Sequence, residues 1–434
     1  MGGPEPRPEA APSTREEARE KPVPEIQAFR GVRYRGGRGD LARVLAPPYD
    51  VISPALRDEL YERDPSNIVR VVLNRTPGDA GYEKAGATYR DWLARGVLET
   101  EDTPLLYLLE QTFVSSGRTL RRFGLLARFR AEDPERGVIL PHEHTRAAAK
   151  EDRWRLLRAT RANFSPIFLM FPDPGARFAS LLADSTSQPP IAQYTDDGGT
   201  GHRLWRVVEE ERVAAFCSLL GETKAYIADG HHRHATALRY RDETGPQGAW
   251  TLGYFTPIEA PGLVVEPYHR ILSEGPSLDE AAGRLGEPFA LRRVEDAPAA
   301  VAAVAGSKAS WAFALAEKGR GALVVEARPE AGALLSPDAP ACLRALDTYF
   351  LHHAVLEPRL GVPEAAVSYV HSLREAEDAV ARGECRLAVL LRGTPVSQIV
   401  DVADAGESMP AKSTFFHPKL PSGLVIHPLV DATR

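Results

Sequence analysis

Lys224-Ala-Tyr-Ile-Ala-Asp-Gly-His-His-Arg-His-Ala-Thr-Ala-Leu238 reads as a strand, a sharp turn and the start of a helix. The apolar run Ala225-Tyr226-Ile227-Ala228 is short and bounded, the pattern of a buried strand. Asp229-Gly230 is turn chemistry: Asp caps a following helix and Gly permits a tight backbone. From His231 on, Ala235, Leu238 and Tyr240 suit a helix whose first turn carries His231, His232 and Arg233. A helix N-terminus offers free N–H groups and a partial positive charge. Placing a guanidinium and imidazoles there does little for stability, and it suits the holding of a phosphate or carboxylate.

Working outward, the 434-residue length predicts two or three domains. The net charge of −6 argues against a general nucleic-acid binder. Cys217, Cys342 and Cys385 are far apart, have no metal-ligand spacing and fit a reducing compartment. No run of about 18 apolar residues predicts a membrane span, and the N-terminus lacks an apolar leader core. A cytoplasmic location is expected, with a small-molecule substrate and a phosphate donor as partners, and neither nucleic acid nor membrane.

In chain order, residues 1–25 are rich in Pro, Glu, Arg and Ala and read as a disordered tail. Residues 26–275 are expected to form the catalytic α/β region. Residues 276–335 are Ala-rich, lack a chemical cluster and read as a small appended α/β subdomain. Residues 336–434 are expected to form a C-terminal α/β region that closes the site. Within the first region, Ala46-Pro-Pro-Tyr-Asp-Val-Ile52 is a rigid loop. Its Asp50 either faces a ligand or bonds nearby backbone. Ser53-Pro54 opens a helix over 55–62, followed by an expected strand over 68–73. Strands over 105–114 and 120–130 flank a hairpin at Ser115-Ser-Gly-Arg118. A strand ending at Pro141 precedes His142-Glu143-His144, and Thr145 is expected to cap the next helix.

Reactive residues fall into three clusters: His142-Glu143-His144; Asp229 with His231, His232, Arg233 and His234; and Lys412-Ser413-Thr414 with Lys419. A histidine-built metal site is weakly specified, because His231 and His234 stand at i, i+3 rather than the i, i+4 of a helical zinc motif. Phosphate chemistry fits all three clusters. Phosphoryl transfer needs cations and N–H groups on the phosphate oxygens, often Mg²⁺, and a carboxylate to deprotonate the acceptor hydroxyl. Glu143 is the candidate base. Arg233 and the helix N-terminus supply the anion site, Asp229 or Asp50 can reach Mg²⁺, and Lys412, Ser413, Thr414 and Lys419 can close over a phosphate. The last group reads equally as a solvated polar loop. There is no Walker loop and no protein-kinase signature set.

The segment Asp229-Gly-His-His-Arg233, preceded by Leu140-Pro-His-Glu143 and Asn163-Phe-Ser-Pro-Ile167, resembles the signature of the free serine kinases of the ParB/sulfiredoxin-like superfamily. The whole chain resembles a widespread bacterial family, first described without a function. Its marks here are residues 46–52, 140–145, 229–233, Pro267-Tyr-His-Arg270 and Lys412-Ser-Thr-Phe-Phe-His-Pro-Lys419. The resemblance implies an α+β fold, with a ParB/sulfiredoxin-like core, mixed sheets and additional α/β subdomains. It implies a phosphate-binding turn between a strand and a helix, and Glu143 as base toward a serine hydroxyl. The span from Glu143 to Asp229 is longer than in the compact serine kinases, and the Asp50 and Lys412 motifs have no counterpart there.

The expected activity is therefore that of a small-molecule phosphotransferase, a free L-serine kinase drawing on pyrophosphate or a nucleotide. Glu143, His231, His232 and Arg233 form its expected catalytic set. Asp50, His142, Asp229, Gly230, His269, Arg270, Lys412, Ser413, Thr414 and Lys419 are expected at the substrate and phosphates, with Asp229 also at Mg²⁺. Two other classes remain open: a non-catalytic, ParB-like regulator that binds a nucleotide or phosphometabolite, and a metal-dependent hydrolase.

Overall fold

The computed structural model describes residues 23–37 and 41–429. Most of the expected N-terminal tail, up to residue 22, lies outside them. The fold is mixed α+β with several sheets. The largest has nine strands. Along its main path it runs Ile139–Leu140, Ala225–Asp229, Ile167–Phe171, Trp250–Pro257, Arg118–Arg130, Leu106–Ser115, Gly201–Val207 and Ala192–Thr195, with Ile26–Gln27 paired to Arg118–Arg130. At one end Ala225–Asp229 is parallel to Ile139–Leu140 and antiparallel to Ile167–Phe171.

Alternation along the strands explains why both faces of this sheet are covered. In Leu106–Ser115, Tyr107 and Leu109 enter one core while Leu106 and Leu108 enter another. The first core is closed by the helix Asp79–Ala94 and the C-terminal segment through Ile426, the second by Arg177–Ser185 and Glu210–Gly221.

The expected strand over 68–73 is instead the short helix Val69–Val72. Its apolar run carries no period that separates a strand from a buried helix, and Asn67 settles the matter. The Asn67 side chain accepts from the Val69 N–H at 2.9 Å and donates to the Arg43 and Leu45 carbonyls. That starts a turn which buries Ile68, Val69, Val71 and Val72. Thr145 does not cap the following helix either. Ala147–Thr160 begins after Arg146, with no side-chain cap.

A second sheet of six strands runs Phe289–Val294, Gly321–Ala327, Ala312–Glu317, Leu387–Leu390, His269–Leu272 and Val367–Val370. All its pairings are antiparallel. It takes strands from both sides of residues 276–335, because the apolar edge Ala312–Glu317 is completed by Leu387–Leu390. Leu278–Leu285 and Leu351–Leu360 cover one face, and Ala297–Gly306 and Leu373–Arg382 the other. The two regions meet through Val264–Glu266, which pairs with Phe415–His417 in a ribbon of its own. No helix among the described residues is long and apolar enough to cross a membrane.

Candidate functional site

The parallel pairing of Ile139–Leu140 with Ala225–Asp229 sends both strands out at the same end of the sheet. The segments that follow, His142-Glu143 and Gly230-His231, must therefore meet. Gly230 makes the exit possible. Its φ is +99°, and a Cβ there would stand 2.9 Å from the Arg233 Cζ atom. The helix His231–Thr244 then starts with its first N–H groups facing the gap.

The imidazoles tie the two exits together. The His142 N–H donates to His231 Nε2 at 3.3 Å, and the Arg146 N–H donates to His232 Nε2 at 2.9 Å. Accepting at Nε2 leaves the His231 proton on Nδ1, which lies 3.9 Å from Glu143 Oε2. Burial holds the His231 imidazole well below its ordinary value, reinforced by His142, so it is neutral. His142 is also buried and lowered to about 4 by desolvation. Its Nε2 lies 3.2 Å from Thr414 Oγ1.

The C-terminal segment closes the site. The Met409 N–H donates to the His142 carbonyl at 2.9 Å. Lys412 takes a left-handed backbone, φ 60°, unusual for a residue with a side chain. Its ammonium lies 4.9 Å from the centre of the Tyr268 ring. Lys419 Nζ reaches Asp229 Oδ1 at 2.6 Å, while Arg233 bonds Asp229 Oδ2 at 2.5 Å and also the Pro166 carbonyl. Burial works to raise the Asp229 carboxyl, but Lys419 and Arg233 outweigh it and hold the group well below the usual carboxylate range. Arg233 thus supports the turn through one donor to Asp229 and one to the backbone.

These segments enclose a cavity of about 460 Å³, within the range of metabolite sites. Glu143, Asp50 and Lys412 line it together with His231, His232 and Gly230. Asp229, Arg233, Thr414 and Lys419 form its floor and side. Burial pushes the Glu143 carboxyl up, with Lys412 pulling it back. Neither Lys412 nor Arg146, another lining residue, forms a salt bridge among the described residues. Four expected residues lie elsewhere. His142 is behind the wall. Ser413 bonds the Pro410 carbonyl and Thr348. His269 accepts from the Leu391 N–H at 3.2 Å, and Arg270 is buried in the six-stranded region.

As for Mg²⁺, both Asp229 oxygens are engaged by cations. No group of three His, Cys, Asp or Glu converges as metal ligands among the described residues.

The sequence reading missed two kinds of residue. Tyr49 and Tyr268 line the cavity with aromatic surface. Arg122 and Gln111 are fully buried beneath Lys419: Arg122 donates to the His417 and Pro418 carbonyls, and Gln111 to the Lys419 carbonyl at 3.1 Å. The signal for Arg122 was present. It stands two and four residues from Gly124 and Leu126 on the inward face of its strand, where a charge needs a reason.

Residues 26–349 match the model of a family described as "Protein of unknown function (DUF1015)". No curated protein matches. Among solved structures, a free serine kinase in complex with AMP is 16% identical, with 66% of this chain and 89% of that one covered, at TM-score 0.32. A conserved hypothetical protein from Pyrococcus furiosus is 14% identical, covering 65% and 90%, at TM-score 0.32. SbnI with C-terminal truncation from Staphylococcus aureus is 8% identical, covering 71% and 90%, at TM-score 0.36.

Proposed function

This chain belongs to the DUF1015 family, and on that footing we propose that it transfers a phosphoryl group to the hydroxyl of a small molecule. The carrying observation is that Glu143 faces the N-terminus of the helix His231–Thr244 across one cavity. The carboxylate is raised by burial toward the range where a general base works at neutral pH. The helix start, Lys412 and Arg146 offer donors and positive charge to phosphate oxygens.

In this reading Glu143 takes the proton of the acceptor hydroxyl, and the oxygen attacks the phosphorus as the donor's remaining phosphate leaves. His231 holds the turn in register by accepting the His142 N–H at Nε2, with Nδ1 on the side of Glu143. Arg233, Asp229 and Lys419 fix the floor. A divalent ion would arrive on the donor's phosphates and neutralise them, since Asp229 is committed to cations. L-serine as acceptor, pyrophosphate or a nucleotide as donor, and a ParB/sulfiredoxin-like core are proposed on the motif resemblance.

The test is incubation with L-serine, Mg²⁺ and pyrophosphate, ADP, ATP or tripolyphosphate, read by phosphorus NMR. O-phosphoserine is expected with at least one donor and should vanish with Glu143→Gln. A product that persists in that variant removes Glu143 as the base. Ligand-dependent stabilisation by the same donors with no product would support the regulator instead.

A further inference from the structure

The motif Pro267-Tyr-His-Arg270 divides its side chains between two places. Tyr268 faces the cavity, but Arg270 turns into the layer between the six-stranded sheet and the helix Leu351–Leu360. It shares a face with Leu272, which packs in the same core as Leu351 and Val355. Arg270 is 0% exposed. One donor, Nη1, bonds the Tyr268 carbonyl at 2.5 Å. The Nε and Nη2 donors are buried and have no hydrogen-bond partner among the described residues. The same holds for Nε2 of His352, which is close enough to Arg270 to feel its charge.

A buried guanidinium without a counter-charge is among the costliest arrangements in a folded protein. Buried donors are almost always satisfied. Among the described residues no carboxylate pairs with Arg270, whose ring neighbour is Tyr369 at 5.3 Å. What the geometry offers is one positive charge with three N–H bonds left over, one on Nε and two on Nη2, beside the buried Nε2 of His352. That set suits a compact monovalent anion.

We propose that Arg270 and His352 form an internal site for a halide-sized inorganic anion, separate from the substrate cavity. The anion joins the strand His269–Leu272 to the helix Leu351–Leu360 and, through the Tyr268 carbonyl, braces the cavity wall. The proposal does not depend on the reaction assigned to that cavity.

Two measurements on the full chain test it. Crystals grown in sodium bromide should show an anomalous peak in contact with Arg270 Nε and Nη2. Thermal unfolding at matched ionic strength should give a Tm that rises and saturates with chloride or bromide but not with gluconate. Arg270→Met should abolish that halide dependence. If this variant does not fold, His352→Leu, which keeps the charge, should weaken it. Identical wild-type melting in halide and gluconate, or density at Arg270 with no anomalous signal, would overturn the site.

Discussion

The two main sheets of this protein are each covered on both faces and differ in strand direction. In the nine-stranded sheet, the parallel pair Ile139–Leu140 and Ala225–Asp229 ends at one edge, and the segments that follow bring Glu143 and His231 to 3.9 Å. The six-stranded sheet is wholly antiparallel. Neighbouring strands there leave at opposite ends, and charged groups pair off internally, as Glu317 does with Arg386 and Asp347 with Arg392. Ionisable groups thus gather where this parallel pair ends. Arg270, wholly buried in the second region, has no carboxylate partner among the described residues.

The hardest blow to this contrast would come from the base proposed for the first region. Glu143→Gln should lower kcat by about 10²- to 10⁴-fold while the variant melts at the wild-type temperature. Unchanged turnover would leave the parallel edge without its chemistry. Next, Asp229→Asn strands Lys419 and Arg233 without their shared carboxylate. It should cost about 3–5 kcal/mol in urea unfolding, and adding Lys419→Met should return part of that. An unmoved midpoint would show that the segment at Lys419 is held by Arg122 and Gln111 alone.

The second region is probed by Leu315→Ala, which opens a cavity in its core. It should cost about 3 kcal/mol and leave the proposed turnover of the folded protein unchanged. A loss of kcat would join the two regions functionally and break the contrast.

Acid sharpens it differently, as a change of slope. Burial holds His234 at about 4, below the ordinary value of about 6.5. The unfolded chain binds a proton there that the folded chain refuses. This contribution to stability is present above about pH 6.5 and is lost as pH falls toward 4. His234 stacks on Phe129 with ring centres 6.4 Å apart. His234→Phe should therefore flatten the fall of Tm across that window. The mildest change is Ser372→Ala, which removes the capping box of the helix Leu373–Arg382. It should cost about 1 kcal/mol and leave turnover alone.

Much of this was legible in the chain. The strand, turn and helix around Asp229-Gly230, the hairpin at Ser116-Gly117 and the helix capped by Ser53 follow from local chemistry, and they lie where the sequence predicts them. Glycine at a left-handed turn, a serine cap and two-residue alternation act over a few neighbours, so a short stretch of sequence contains its own answer. The same locality is why the motif residues Glu143, His231 and Lys412 could be singled out before their meeting was known.

Tertiary structure alone decided the rest. The helix at Val69–Val72 depends on Asn67 finding the Arg43 and Leu45 carbonyls. Arg233 braces the turn as well as lining the cavity, because Asp229 and the Pro166 carbonyl lie within its reach. Arg122 matters because the carbonyls of His417 and Pro418 arrive above it from almost three hundred residues away. Hydrogen bonds and ion pairs act over a few ångströms in space whatever their separation along the chain. Which donor meets which acceptor is therefore settled only when the sheets have closed.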